Sequence, residues 1–203
     1  MKILGIIGGM SPESTATYYT EINRLVNQKK GGNISAPIVM VSVEFEEIVQ
    51  CQKQGEWQRA GEILAEAGKK LEMIGAEGIV LATNTMHKVA PQIERALSIP
   101  FLHILDATAN AIKSRGLNKV ALLGTKFTMS DNFYRDGLIV RGITPIVPNE
   151  DTQNEIHRII FDELCVGKFL PQSKAFYLDT IEFLRKQGAE GVILGCTEIG
   201  LLV

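Results

Sequence analysis

Cysteine is scarce in this chain. There are three, Cys51, Cys165 and Cys196, an odd number with no Cys-x-x-Cys pair. That pattern argues against a disulfide framework and a structural zinc site, and a reducing cytoplasm is the expected location. Long apolar runs are also missing. None approaches the roughly 20 residues that span a bilayer. The first run, Ile3 to Ile7, is too short for a signal sequence and lacks a cleavage pattern, so no membrane partner is expected. Basic clusters are absent too. With 21 Lys+Arg against 23 Asp+Glu the net charge is −2, and the pair Lys69-Lys70 ends a helical pattern as solvated surface. No nucleic-acid partner is expected. The Gly8-Gly9 turn could open a phosphate loop, but the GxGxxG and Walker spacings do not follow it. With no metal-ligand cluster either, no cofactor and no metal are expected.

What remains is an ordinary globular composition. At 203 residues and 45% hydrophobic, the chain can build one large domain or two small ones. Short β-branched runs alternate with 3.6-period segments, which predicts an α/β fold of parallel sheets flanked by helices. Strands are expected at 2–7, 37–43, 78–81, from 99, at 119–123, 142–147 and 191–194. Helices are expected from Ser11 as cap to about 28, and at 45–54, 57–74, 86–96, 106–114, 128–140, 154–165 and 172–186. The pattern restarts near residue 105, giving two lobes, 1–104 and 105–203.

One stretch occurs twice. Gly75-Ala76-Glu77-Gly78 returns as Gly188-Ala189-Glu190-Gly191, and the apolar strand after each copy, which over Val192 to Leu194 reads as buried, ends in Ala82-Thr83-Asn84-Thr85 or in Gly195-Cys196-Thr197-Glu198. Thr83 therefore matches Cys196. Ligands of open α/β sheets bind at the carboxyl ends of strands, and clefts between lobes favour ligand sites. Two such strand ends facing one cleft would suit racemisation, which removes a proton from one face of a carbon and returns one to the other. A thiol can serve as acid or base; a hydroxyl is a far weaker base. Structural readings stand beside these. Thr83 could cap a helix, and His87 could be a capping, core or catalytic histidine. Cys51 and Cys165 fall in helical patterns as packing residues, and Trp57 packs at a helix start. Lys168, after Gly167, could simply complement a helix C-terminus.

The segments Gly5 to Thr15, Ala82 to His87, Gly124-Thr125, Asp162-Glu163-Leu164 with Gly167, and Gly195 to Glu198 resemble the aspartate/glutamate racemase family across essentially the whole chain. The resemblance implies two pseudo-symmetric α/β lobes with the site in the cleft between them, a small amino-acid substrate, no cofactor, and a homodimer. It places acid/base roles at Cys196 and at Thr83, where the family normally has a second cysteine. A subset with Thr at that position is similar and works the two faces of L-aspartate or L-glutamate unequally. By the same analogy Met10, Ser11, Asn84, Thr85, Thr125 and Thr197 line the substrate. Gln52 and Lys168 are candidates for its distal carboxylate. Glu198 stands where glutamate racemase has His, which favours the aspartate branch; it would tune Cys196 or meet the substrate ammonium. The resemblance also implies a closing helix beyond Glu198, and this chain ends at Val203. Two other functions fit the residues: a one-thiol decarboxylase or cis–trans isomerase of a small dicarboxylate, and a non-catalytic amino-acid binding protein.

Overall fold

The computed structural model describes all 203 residues, which form two compact units, Met1–Ile104 and Leu105–Val203. The first unit runs β1 (Leu4–Gly8), α1 (Pro12–Lys30), β2 (Ile38–Ser42), α2 (Phe45–Gln54), α3 (Trp57–Met73) and β3 (Gly78–Leu81). A 3₁₀ turn over Thr85–Val89 leads into α4 (Ala90–Ala96) and β4 (Phe101–Leu102). All pairs are parallel, in the order β2-β1-β3-β4. Ile6 and Ile7 of β1 are fully buried, as a central parallel strand requires. Leu64, Ala67 and Leu71 form the buried stripe of α3, with Ile48 and Ile79 in the same core. Truncating Leu64 or Leu71 there should cost about 2–5 kcal/mol. Ile74, the last residue of the helix expected over 57–74, lies just past the helix end and is exposed.

The second unit runs α5 (Ile104–Lys113), β5 (Lys119–Leu123), α6 (Lys126–Ser130), α7 (Asn132–Val140), β6 (Thr144–Ile146) and α8 (Glu150–Asp162). A 3₁₀ turn at Leu164–Val166 precedes α9 (Pro171–Lys186), β7 (Gly191–Leu194) and α10 (Ile199–Leu202). Its sheet is parallel in the order β6-β5-β7. Two expectations need correction. The single helix over 128–140 is two, because Asp131 adopts extended backbone and its carboxylate accepts from Phe133 N at 3.0 Å, capping α7. The run Val192 to Leu194 is not a buried strand: β7 is an edge strand, and Val192 is 38% exposed.

The repeated Gly-Ala-Glu-Gly is a helix-to-strand joint. Gly75 (φ 97°) and Gly188 (φ 95°) take the left-handed conformation that ends α3 and α9. Ala76 N donates to Leu71 O and Ala189 N to Leu184 O, each at 3.0 Å. Glu77 then accepts from Ile3 N at 3.1 Å, and Glu190 from Lys119 N at 3.0 Å, so each carboxylate anchors the start of the neighbouring central strand.

The two sheets share a further property. In the first, the chain leaves β1 for β2 on one side and then crosses to β3 on the other. In the second, β5 stands in the same relation to β6 and β7. The carboxyl ends of β1/β3 and of β5/β7 are therefore topological switch points, where open sheets leave a crevice. The last paired residues are Ile7↔Leu81 and Leu123↔Leu194. Thr83 and Cys196 each stand two residues beyond.

Candidate active site

In the first unit, β3 ends as Ala82 N donates to Ile7 O at 2.9 Å; Thr83 N then turns back to Leu81 O at 2.9 Å. Thr83 is half-buried. The cap position of the following turn falls on Asn84, so Thr83 does not take the capping role open to it. Thr85 and Met86 are buried, and Gln52 on α2 directs its Nε2 to Met86 Sδ at 3.0 Å, bringing Gln52 against the same turn. The loop after β1 is tied down by Thr15, whose Oγ1 accepts from Gly9 N and donates to Ser11 O, both at 2.8 Å. Ser11 caps α1, accepting from Ser14 N. Met10 is buried at the end of this loop, against the lobe core.

His87 belongs to this turn more closely than its sequence position indicates. It is 2% exposed, with Nδ1 2.8 Å from Thr83 O and Nε2 3.2 Å from Ile104 N. Its ring lies 4.7 Å from that of His103 and 5.7 Å from that of Phe101. Burial, and then the neighbouring His103, push its pKa down to about 3, so the imidazole is neutral. In the sequence it closes the Ala82 to His87 motif, with capping, core and catalytic roles all open to it.

The second unit repeats the strand end with different chemistry. Gly195 N donates to Leu123 O at 2.6 Å, the counterpart of the Ala82 bond. Gly195 has to lack a side chain: a Cβ would stand 2.9 Å from Leu123 O and 3.1 Å from Thr128 Cγ2. Half-buried Cys196 donates from Sγ to Glu198 Oε2 at 2.8 Å, and Thr197 Oγ1 donates to the same oxygen at 2.8 Å. Burial first, and the Glu198 carboxylate second, push the Cys196 thiol far above the ordinary cysteine range. Thr125, buried beside this strand end, caps α6 by accepting from Thr128 N. Lys168 is exposed after Gly167, its backbone N donating to Glu163 O at 2.8 Å. Of the other cysteines, Cys51 is buried in the first core, but Cys165 is exposed on its 3₁₀ turn instead of packed. No three His, Cys, Asp or Glu residues stand together as a metal cluster would require, and no helix is long and apolar enough to cross a membrane.

The sequence profile of the Asp/Glu/Hydantoin racemase family matches residues 7–203. The chain belongs to this family. Membership makes it an isomerase of the amino-acid racemase type. A proposed Asp/Glu racemase from Yersinia pestis is 50% identical, with a TM-score of 0.95 over 100% of this chain and 89% of that one. An aspartate racemase homologue from Pyrococcus horikoshii OT3 is 40% identical, with a TM-score of 0.86 over 100% and 88%. The broad specificity amino-acid racemase RacX of Bacillus subtilis (strain 168) is 23% identical across 99% of this chain and 87% of its own length. The two-lobe α/β racemase fold is thus shared well beyond the motifs that first pointed to the family.

Proposed function

We propose that this racemase acts on an acidic amino acid, aspartate before glutamate, with Cys196 working one face of the α-carbon and Thr83 the other. The observation that carries the reading is the matched register. Each lobe has its proton-transfer candidate two residues past the last paired residue of a strand, at its own switch point.

The proton balance follows from the groups present. The Cys196 proton passes to Glu198 across the 2.8 Å hydrogen bond, leaving a thiolate and a carboxylic acid. The thiolate sulfur takes the α-proton as the C–H bond breaks, and the electron pair spreads into the substrate α-carboxylate. The Thr83 hydroxyl supplies a proton to the opposite face, forming the new C–H bond. The alkoxide is reprotonated from solvent, and Glu198 returns its proton to solvent. In the reverse direction Thr83 would have to begin as a base, which a hydroxyl does poorly. Unequal behaviour toward the two enantiomers is the consequence.

Asn84, Thr85 and Thr197, following the two acid/base positions, offer hydroxyl, amide and backbone donors to the α-carboxylate; Gln52 and Lys168 are assigned the distal carboxylate, Met10, Ser11 and Thr125 the surrounding wall. Glu198, already accepting from Cys196 and Thr197, is assigned to the thiol instead of the substrate ammonium. A homodimer in the cytoplasm completes the reading, and light scattering of the purified chain checks the first half of that statement.

A second reading draws on one specific observation: a thiol held protonated is equipped to protonate an enolate from one face. That is the step a one-thiol decarboxylase of a malonate-type acid needs. Proton NMR in D2O against a panel of L- and D-amino acids and a substituted malonate separates the two. Loss of the α-proton signal of aspartate or glutamate supports the racemase. Loss of CO2 from the malonate with no amino-acid exchange replaces it with the decarboxylase.

A further inference from the structure

We infer that His87 is the positioning residue for Thr83, holding the first-lobe strand end through the Thr83 carbonyl; this rests on the proton-transfer role proposed for Thr83.

The two partners of the ring decide its tautomer. Ile104 N–H can only donate, so Nε2, 3.2 Å away, is an acceptor and carries no proton. The remaining proton of the neutral ring is on Nδ1, which donates to the Thr83 carbonyl at 2.8 Å. His87 is thus a fixed brace within the first unit, between the carbonyl of Thr83 and the backbone N–H of Ile104, that unit's last residue. The ring is buried and wedged against Phe101 and His103, so it has little freedom to yield. The Thr83 carbonyl has left the β3 ladder, whose last pair is Ile7↔Leu81. With its N–H turned back on Leu81 O, Thr83 owes its orientation to contacts beyond the sheet, among them the His87 bond to its carbonyl. The second lobe uses a different device. There Ile199 N donates to Cys196 O at 3.2 Å, a backbone bond without a side chain.

Loss of the brace should act on the Thr83 face alone. Displacing an acid/base group by about 1 Å can cost on the order of 100-fold, whereas exchange through Cys196 needs only the second lobe's pair. A ring replaced by an amide can imitate one nitrogen at a time. Asn puts an N–H near Nδ1; Gln reaches toward Nε2.

The test has three parts. In wild type, 15N NMR of the imidazole should show the Nδ1–H tautomer; the Nε2–H tautomer overturns the inference with no variant needed. The Thr83 carbonyl 13C resonance should move upfield in His87→Phe and stay near wild type in His87→Asn; an unmoved resonance in His87→Phe overturns it, even for an enzyme that turns over no amino acid. Finally, the ratio of racemisation to α-proton exchange on aspartate should fall about 10- to 100-fold in His87→Phe and His87→Gln and recover in His87→Asn. Racemisation and exchange declining together, as the folded fraction would make them, overturns the positioning role. Wild type that exchanges no acidic amino acid, yet has the expected tautomer and carbonyl shift, supports the brace and refutes the proposed function.

Discussion

At Cys196 two influences act in the same direction. Burial disfavours a thiolate, and the Glu198 carboxylate beside it resists a second negative charge. Yet that carboxylate is also the acceptor through which the thiol can lose its proton. The two roles give Glu198→Gln opposite effects on two measurements. Without the carboxylate charge, the Cys196 thiol pKa falls. Its alkylation by iodoacetamide, which follows the thiolate fraction, should therefore begin at lower pH. Turnover should fall, because the proton acceptor is gone. Peptide-resolved mass spectrometry separates Cys196 from exposed Cys165 and buried Cys51. An alkylation midpoint that stays in place or rises removes Glu198 from the account. Cys196 and its match to Thr83 were legible in the sequence because both follow a recognisable strand. The Glu198 contact was one of two roles that the family resemblance left open. His87 as a brace was not legible, since its second partner is the backbone N–H of Ile104, brought near only by folding.

At the scale of elements, Gly195 is where strand geometry meets chemistry. Its N–H closes onto Leu123 O, and a side chain would meet that oxygen. Gly195→Ala should push the end of β7 away from β5, costing on the order of 1–3 kcal/mol in overpacking and most of the turnover. Gly191→Ala, whose new Cβ meets the flexible tip of Leu117, should cost far less of both. Thermal unfolding and a racemisation assay check the pair; equal losses would deny Gly195 a special place. Several elements read correctly to the residue, among them α2 and the strands β3, β5 and β7. The failures have local causes. The apolar period of 128–140 continues through the break, so the pattern hid a stop that only the Ser130-Asp131-Asn132 capping chemistry marked. An aliphatic run such as Val192 to Leu194 reads alike at the centre or edge of a sheet, because its neighbours are chosen by topology. The repeated Gly-Ala-Glu-Gly drew attention to the site, but its residues build the joint behind the strand.

For the whole molecule, the central asymmetry is a hydroxyl in one lobe and a thiol in the other at matching registers. Racemisation has an equilibrium constant of one, so kcat/KM must be equal in the two directions whatever the catalytic groups. The asymmetry must therefore appear in kcat and KM separately. Thr83→Cys should bring the two kcat values closer together, read by polarimetry from each enantiomer; a ratio unchanged from wild type would exclude Thr83 as the second acid/base. The α/β class and the halving of the chain came from periodicity and the restart near residue 105. The family rested on five dispersed motifs, each weak alone and specific only in combination. The most direct test of the whole account is α-proton exchange of L- and D-aspartate in D2O, comparing wild type with Cys196→Ala. The account predicts exchange in wild type and, in the variant, loss of exchange from the enantiomer whose α-proton faces Cys196, because the sulfur that takes that proton is gone. Exchange of that enantiomer persisting at the wild-type rate in folded Cys196→Ala would contradict it.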